Sequence, residues 1–206
     1  MLQVKSYNIF LDLEFKTLRF VGKIIVEIES TEDVILNSLG LTIISVSVDE
    51  KPVFFEQKDE DLIVQTGLFR GRLEIEYAGM IPDTLVGIYR APYNDTYMIT
   101  TQLEATNARR LFPCVDHPEY KAEFKLAIRI DSDLDAISNM PIKSVQKADD
   151  KKILSFHTTP KMSTYLLYLG VGKFNEVKER LGKTELVVTA TPGKASKGTF
   201  ALDVAK

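Results

Sequence analysis

Thr101-Gln102-Leu103-Glu104-Ala105 sets an amide and a carboxylate two positions apart. On an extended backbone alternate side chains leave the same face, so Gln102 and Glu104 are expected to project together. An amide both donates and accepts hydrogen bonds, and an ionised carboxylate accepts several. Aimed together close to two arginines they read as a ligand-facing edge, although for Glu104 spacing alone favours a solvated carboxylate at a strand end. Arg109 and Arg110 follow, then Phe112-Pro113-Cys114-Val115-Asp116. The planar guanidinium fork matches a carboxylate, so one arginine is expected to pair with Asp116 and hold the loop. Phe112 and Pro113 are expected to anchor it. Cys114, alone among apolar neighbours, reads as a small buried hydrophobe rather than a nucleophile.

Other chemistry is missing from the sequence. A zinc site needs three or four ligands at defined spacing. The only histidines, His117 and His157, lie far apart, and there is no HExxH pair. No GxSxG elbow occurs, and Gly170-Val171-Gly172-Lys173 lacks the spacing of a phosphate loop. His157 alternates with Phe156 and Thr158 as in a strand. His117 precedes Pro118, so it is expected in a first helical turn capped by Asp116, with short helix over 116–121. No catalytic residue and no metal ligand is assigned.

The elements that must position Gln102 and Glu104 are strands. Tyr7, Ile9, Leu11, Leu13 and Phe15 alternate on one face, and Ile24, Val26 and Ile28 do the same. Further strands are expected over 33–37, 42–48, 51–57, 61–65, 71–77, 123–130, 136–140, 142–147, 152–158, 165–173 and 185–190. No helix of ten or more residues separates them, which excludes a parallel α/β fold. The fold class is all-β, an extended antiparallel sandwich, one domain over 1–194. Residues 195–206 carry Phe200, Leu202 and Val204 among helix formers, with Ser196 or Thr199 as the cap, and so are expected to begin a helix that needs a partner surface, the alternative being a frayed terminus.

Composition sets bounds. The 206 residues are 45% hydrophobic and 27% charged, with a net charge of -3. No basic face is visible, so nucleic acid is not an expected partner. One cysteine excludes an internal disulfide and fits a reducing compartment. No apolar run reaches membrane-spanning length, so no membrane partner is expected. Met1-Leu2-Gln3-Val4-Lys5 passes directly into strand-like sequence without a signal-peptide core, and a cytoplasmic location is expected.

TTQLEATNARRLFPCVDHPEYKAEF, residues 101–124 and their flank, resembles the signature of the N-terminal domain of zinc-dependent aminopeptidases of the aminopeptidase N, puromycin-sensitive aminopeptidase and leukotriene hydrolase group. The TQ-x-E-A, ARR-x-FPC-x-D-x-P and K-A-x-F elements are all present. Leu85-Val86-Gly87-Ile88-Tyr89-Arg90 is similar to that family's L-x-G-x-Y-R turn. Pro160 to Leu166 with Gly172-Lys173-Phe174 resembles its P-x-MSTYL…G-x-F strand, and Phe20-Val21-Gly22 its F-x-G start.

The resemblance implies a β-saddle covering a thermolysin-like catalytic domain. It implies that Glu104 contacts the free α-amino group of a peptide substrate and that Gln102 lines the pocket for the first side chain. A partly desolvated carboxylate can tell a charged terminus from a mid-chain amide through a charge-assisted hydrogen bond. The family's G-x-M-E-N element and HExxH site are not in these residues, so zinc is expected in the parent enzyme and no cofactor in this chain. The expected partners are the peptide amino terminus and the catalytic domain of the same protein, with self-association possible through the surface that domain would cover. The alternative is a non-catalytic β-sandwich module that binds peptides or a protein; an independent enzyme ranks last.

Overall fold

The computed structural model of the chain describes residues 2–206, the side chain of residue 148 excepted. Its first half is built of β1 (Leu2–Glu14), β2 (Arg19–Ser30), β3 (Val34–Asn37), β4 (Leu41–Val48), β5 (Lys51–Pro52), β6 (Phe55–Lys58), β7 (Asp61–Val64), β8 (Phe69–Met80), β9 (Gly87–Tyr93) and β10 (Thr96–Gln102). The second half adds β11 (Glu123–Asp131), β12 (Asp135–Ser138), β13 (Ile142–Ala148), β14 (Lys151–Phe156), β15 (Leu169–Gly172), β16 (Asn175–Leu181), β17 (Thr184–Ala190) and the helix α1 (Thr199–Ala205). Three 3-10 turns lie at Ala108–Arg110, Thr164–Leu166 and Ala195–Gly198. The chain is all-β, as its alternation requires.

An eight-stranded sheet in the order β13-β14-β11-β1-β2-β8-β4-β5 forms the frame. A four-stranded sheet, β12-β15-β10-β9, a three-stranded sheet, β3-β7-β6, and the ribbon β16-β17 complete the molecule. Alternation places Tyr7, Ile9, Leu11 and Leu13 of β1, Ile24, Val26 and Ile28 of β2, and Phe124, Leu126, Ile128 and Ile130 of β11 in the core. Val34, Leu36, Leu62 and Val64 of the three-stranded sheet and Ile88, Ile99 and Val171 of the four-stranded sheet join the same core cluster. The opposite face of the large sheet is charged: Lys23 Nζ lies 2.6 Å from Glu74 Oε1 and Lys5 Nζ 3.0 Å from Glu29 Oε1.

One pairing departs from the antiparallel expectation. β1 and β11 are parallel, with Tyr7 opposite Phe124 and Asp12 opposite Arg129. Parallel neighbours need a long crossover. Here the crossover carries β2 to β10 and the loop that follows, and the Gln102–Glu104 segment lies where β10 passes into that loop. Tyr7 marks the return: its ring stacks on Phe124 at 5.2 Å and meets Phe112 edge-on at 5.7 Å, and its hydroxyl accepts from the Val115 amide at 3.0 Å.

Several local expectations are corrected. The strand expected over 51–57 is two: β5 pairs with β4, whereas β6 pairs with β7 in another sheet. Pro52 cannot extend the ladder through an N–H, and the chain crosses between sheets at Val53 and Phe54. No helix forms over 116–121. The Tyr120 amide donates to His117 O at 3.1 Å, closing a turn, and Asp116 spends its carboxylate on Arg109 and Thr164 instead of a cap. The strand expected over 165–173 begins as the 3-10 turn at Thr164–Leu166, and only Leu169–Gly172 pairs. His157 lies just past the end of β14 and is exposed. The helix α1 forms, but its N-cap is Gly198, without a side-chain cap from Ser196 or Thr199. The strand β16 was not expected, because Val177 and Leu181 do not alternate cleanly among Glu176, Lys178, Glu179 and Arg180.

Candidate functional site

Gln102 is the last residue of β10 and pairs with Gly87, the first of β9. The regular ladder between β10 and β15 runs only through Ile99–Val171 and Thr100–Gly170. One step further a side chain replaces it: buried Thr101 accepts the Leu169 amide at 2.9 Å and donates to Leu169 O at 3.4 Å. Thr101 and Leu103 therefore face inward, 6% and 1% exposed, and Gln102 and Glu104 outward. The expected alternation of the pair holds, although Glu104 already lies in the turn beyond the strand.

That turn is closed by Asn107. Its amide donates to Leu103 O at 2.8 Å, and its side-chain Nδ2 donates to Glu104 O at 3.1 Å. The Glu104–Ala105 peptide bond is cis. Asn107 Oδ1 in turn accepts from Arg110 Nε at 3.1 Å. The Arg110 stem lies across Gly87, where an added Cβ would come within 2.7 Å of Arg110 Cβ. Gly87 also has φ +72, which a side chain disfavours.

The two arginines divide their work. Arg109 Nε lies 3.0 Å from Asp116 Oδ2, and its Nη1 lies 2.7 Å from Glu60 Oε2. Burial opposes the Arg109 charge, but the hydrogen bonds to Asp116 and Glu60 outweigh it and hold its pKa above the ordinary value. Asp116 has a side chain 0% exposed. Its other oxygen accepts from Thr164 Oγ1 at 2.8 Å, and its backbone amide donates to Asn37 Oδ1 at 3.0 Å. The expected arginine–carboxylate clamp is thus Arg109 with Asp116. Arg110 belongs to Asn107, and neither arginine is bonded to Glu104.

Phe112 and Cys114 are 0% exposed and Pro113 is buried, as anchors of the loop. Cys114 bridges to Asn37 through two backbone hydrogen bonds, of 2.7 and 3.1 Å. Burial pushes the Cys114 thiol pKa well up, with Asp116 adding to it and Arg109 opposing. A thiol kept protonated is no nucleophile. His117 and His157 do not meet. Among the described residues no three His, Cys, Asp or Glu side chains stand together as a metal site, so these residues do not fit zinc. A surface cleft of about 520 Å³ is lined by Ile142, Val145 and Phe174 and lies apart from Gln102 and Glu104. No helix among the described residues is long and apolar enough to cross a membrane.

Asn107, Thr101 and Glu60 were not singled out from the sequence. Asn107 carries a usable signal, since an asparagine that bonds a nearby backbone group is a turn former. Glu60 carries none: it reaches Arg109 across 49 positions of chain.

A model of the Peptidase M1 N-terminal domain matches residues 3–166. The chain is 51% identical over 207 residues to "Probable aminopeptidase 2" of Sulfurisphaera tokodaii, with all of this chain and 26% of that protein covered. It is 44% identical over 209 residues to "Leucyl aminopeptidase" of Saccharolobus solfataricus, again covering 100% of this chain and 26% of the relative. It is 35% identical over 206 residues to "Tricorn protease-interacting factor F2" of Thermoplasma acidophilum, covering 98% of this chain and 26% of that protein. The chain thus spans about a quarter of the length of these relatives. With the family match running from β1 to the Thr164–Leu166 turn, the chain belongs to the Peptidase M1 N-terminal domain family.

Proposed function

We propose that this chain recognises the amino terminus of a peptide substrate within a zinc metallo-aminopeptidase that removes residues from that end. Glu104 takes the free α-ammonium and Gln102 lines the pocket for the first side chain. One observation carries the reading: Gln102 and Glu104, two positions apart, are both exposed, while Thr101 before them and Leu103 between them are buried and the following turn is tied down by Asn107. An exposed carboxylate on a fixed backbone can be covered by a second wall without paying to order its own support. The names of the relatives and the domain family favour an aminopeptidase as the parent enzyme.

Zinc and the residues that act on the peptide bond belong to a catalytic domain of the same protein, towards which residues 195–206 lead. That domain is the chief partner. Phe200 and Val204 on α1, exposed at 76% and 70%, are apolar surface suited to such a contact, and through it the isolated chain self-associates. The enzyme works in the cytoplasm. This chain alone is inactive.

The test uses the full-length protein and a defined peptide followed by mass spectrometry. Stepwise loss of residues from the amino end is expected, stopped by a zinc chelator and by acetylation of the peptide. Equal cleavage of the acetylated peptide, or internal cleavage, would contradict the reading.

A further inference from the structure

We propose that Asn107 is a positioning residue for substrate recognition: it sets the direction in which the Glu104 carboxylate points, and Arg110 keeps it in the orientation that does so. The inference rests on the reading of Glu104 as the ammonium anchor.

The direction of the Cα–Cβ bond of Glu104 follows from the two peptide planes that flank its Cα. Asn107 holds both. The carbonyl of the preceding plane, Leu103 O, accepts the Asn107 backbone N–H at 2.8 Å. The carbonyl of the following plane, Glu104 O, accepts Asn107 Nδ2 at 3.1 Å. One residue thus fixes the rotation on either side of the carboxylate-bearing carbon. With only two soft dihedrals per residue, that leaves the side chain's own torsions as the remaining freedom.

The side-chain bond requires the amide of Asn107 to present its NH2 group, not its oxygen, to Glu104 O. Arg110 Nε decides this. It is a donor at 3.1 Å from Asn107 Oδ1, and a flipped amide would set two donors face to face there and two acceptors at Glu104. Arg110 is itself placed. Its stem crosses Gly87 so closely that a Cβ would meet Arg110 Cβ at 2.7 Å and Cδ at 2.9 Å. Gly87 pairs with Gln102. The backbone positions that carry the Gln102 amide and the Glu104 carboxylate are therefore joined through one connected set, Gln102–Gly87–Arg110–Asn107–Glu104.

These bonds lie at the surface, where a hydrogen bond adds little to global stability. Their value is geometric. A carboxylate that can wander from its ammonium loses affinity for the charged terminus without losing the rest of the substrate.

The experiment is a double-mutant cycle in the full-length enzyme, read by steady-state kinetics and by inhibition constants for a matched pair of ligands, an amino-acid amide and its des-amino analogue. Asn107→Ala is expected to raise KM for free-amine substrates about three- to tenfold. It should lower the preference for the amide over its des-amino analogue by a similar factor. Arg110→Met keeps the stem over Gly87 but removes the donor, and should move the same readouts in the same direction by less. In the Glu104→Ala background Asn107→Ala should do nothing further to either readout. Equal loss on both ligands, a fall in kcat alone, or full additivity with Glu104→Ala would overturn the positioning role. A Glu104→Ala enzyme that still prefers the amide would instead overturn the anchor on which the role depends.

Discussion

Arg109 meets the Asp116 carboxylate twice: Asp116 Oδ2 lies 3.0 Å from the Arg109 Nε and 3.3 Å from its backbone nitrogen. Asp116 Oδ1 is taken by Thr164 Oγ1, so this one carboxylate ties the 3-10 turn after the site to the turn that leads into β15. Removing one partner of such a buried pair leaves the other charge unpaired. Arg109→Ala should therefore destabilise the domain by about 3 kcal/mol. Asp116→Asn, which can still accept from Arg109, should cost nearer 1 kcal/mol. Urea unfolding of the isolated domain gives both values. Two losses below about 0.5 kcal/mol, as for ordinary surface changes, would refute a structural role for the pair.

Gly22 stands opposite Tyr77 in the β2–β8 pairing, and the Tyr77 ring fills the space its side chain would take. An added Cβ would lie 2.2 Å from Tyr77 Cζ. Two positions along, the arrangement is mirrored, with Phe20 over Gly79. Gly22→Ala should overpack the site and destabilise by about 1–3 kcal/mol. Unchanged thermal stability would show that the ring yields without cost.

The alkaline limb of stability follows from three buried groups. Burial pushes the pKa of Cys114 well above the ordinary thiol value of 9.0, and those of Tyr7 and Tyr77 well above 10.0. Each folded pKa is raised, so the folded state holds its proton more tightly than the unfolded state. The contribution is fully present below the unfolded values and is lost as pH rises above them. The melting temperature should start to fall above about pH 9 and fall more steeply above about pH 10. Cys114→Ala should remove the first part and leave the second. A melting temperature level from pH 8 to 11 would contradict this.

The frame was legible in the sequence because alternation is a local signal: Tyr7, Ile9, Leu11 and Leu13 are inward by period alone. What was not legible depends on contacts made across the chain. The parallel pairing of β1 with β11 follows from where the crossover lands, and the lost helix at 116–121 follows from Arg109 and Thr164 claiming Asp116 first. At the site, the outward pair Gln102 and Glu104 followed from two-residue spacing. The support beneath it did not, because Asn107 acts through backbone carbonyls that carry no residue identity and Gly87 acts through the absence of a side chain.

Gln102 offers packing and hydrogen bonds but no charge. In the full-length enzyme Gln102→Ala should change the ranking of first side chains while leaving the preference for a free amine intact. A panel of aminoacyl substrates differing only in that side chain measures it. A uniform drop across the panel would assign Gln102 to general support.

The central claim is that Glu104 binds the substrate's ammonium. The direct measurement is kcat/KM for free-amine substrates in full-length wild type and Glu104→Ala, with zinc content determined in both. Loss of a hydrogen bond to a charged group costs about 1.5–3 kcal/mol, so kcat/KM should fall roughly ten- to more than a hundredfold with zinc unchanged. An unchanged kcat/KM would make Glu104 a solvated carboxylate at a strand end and contradict the account.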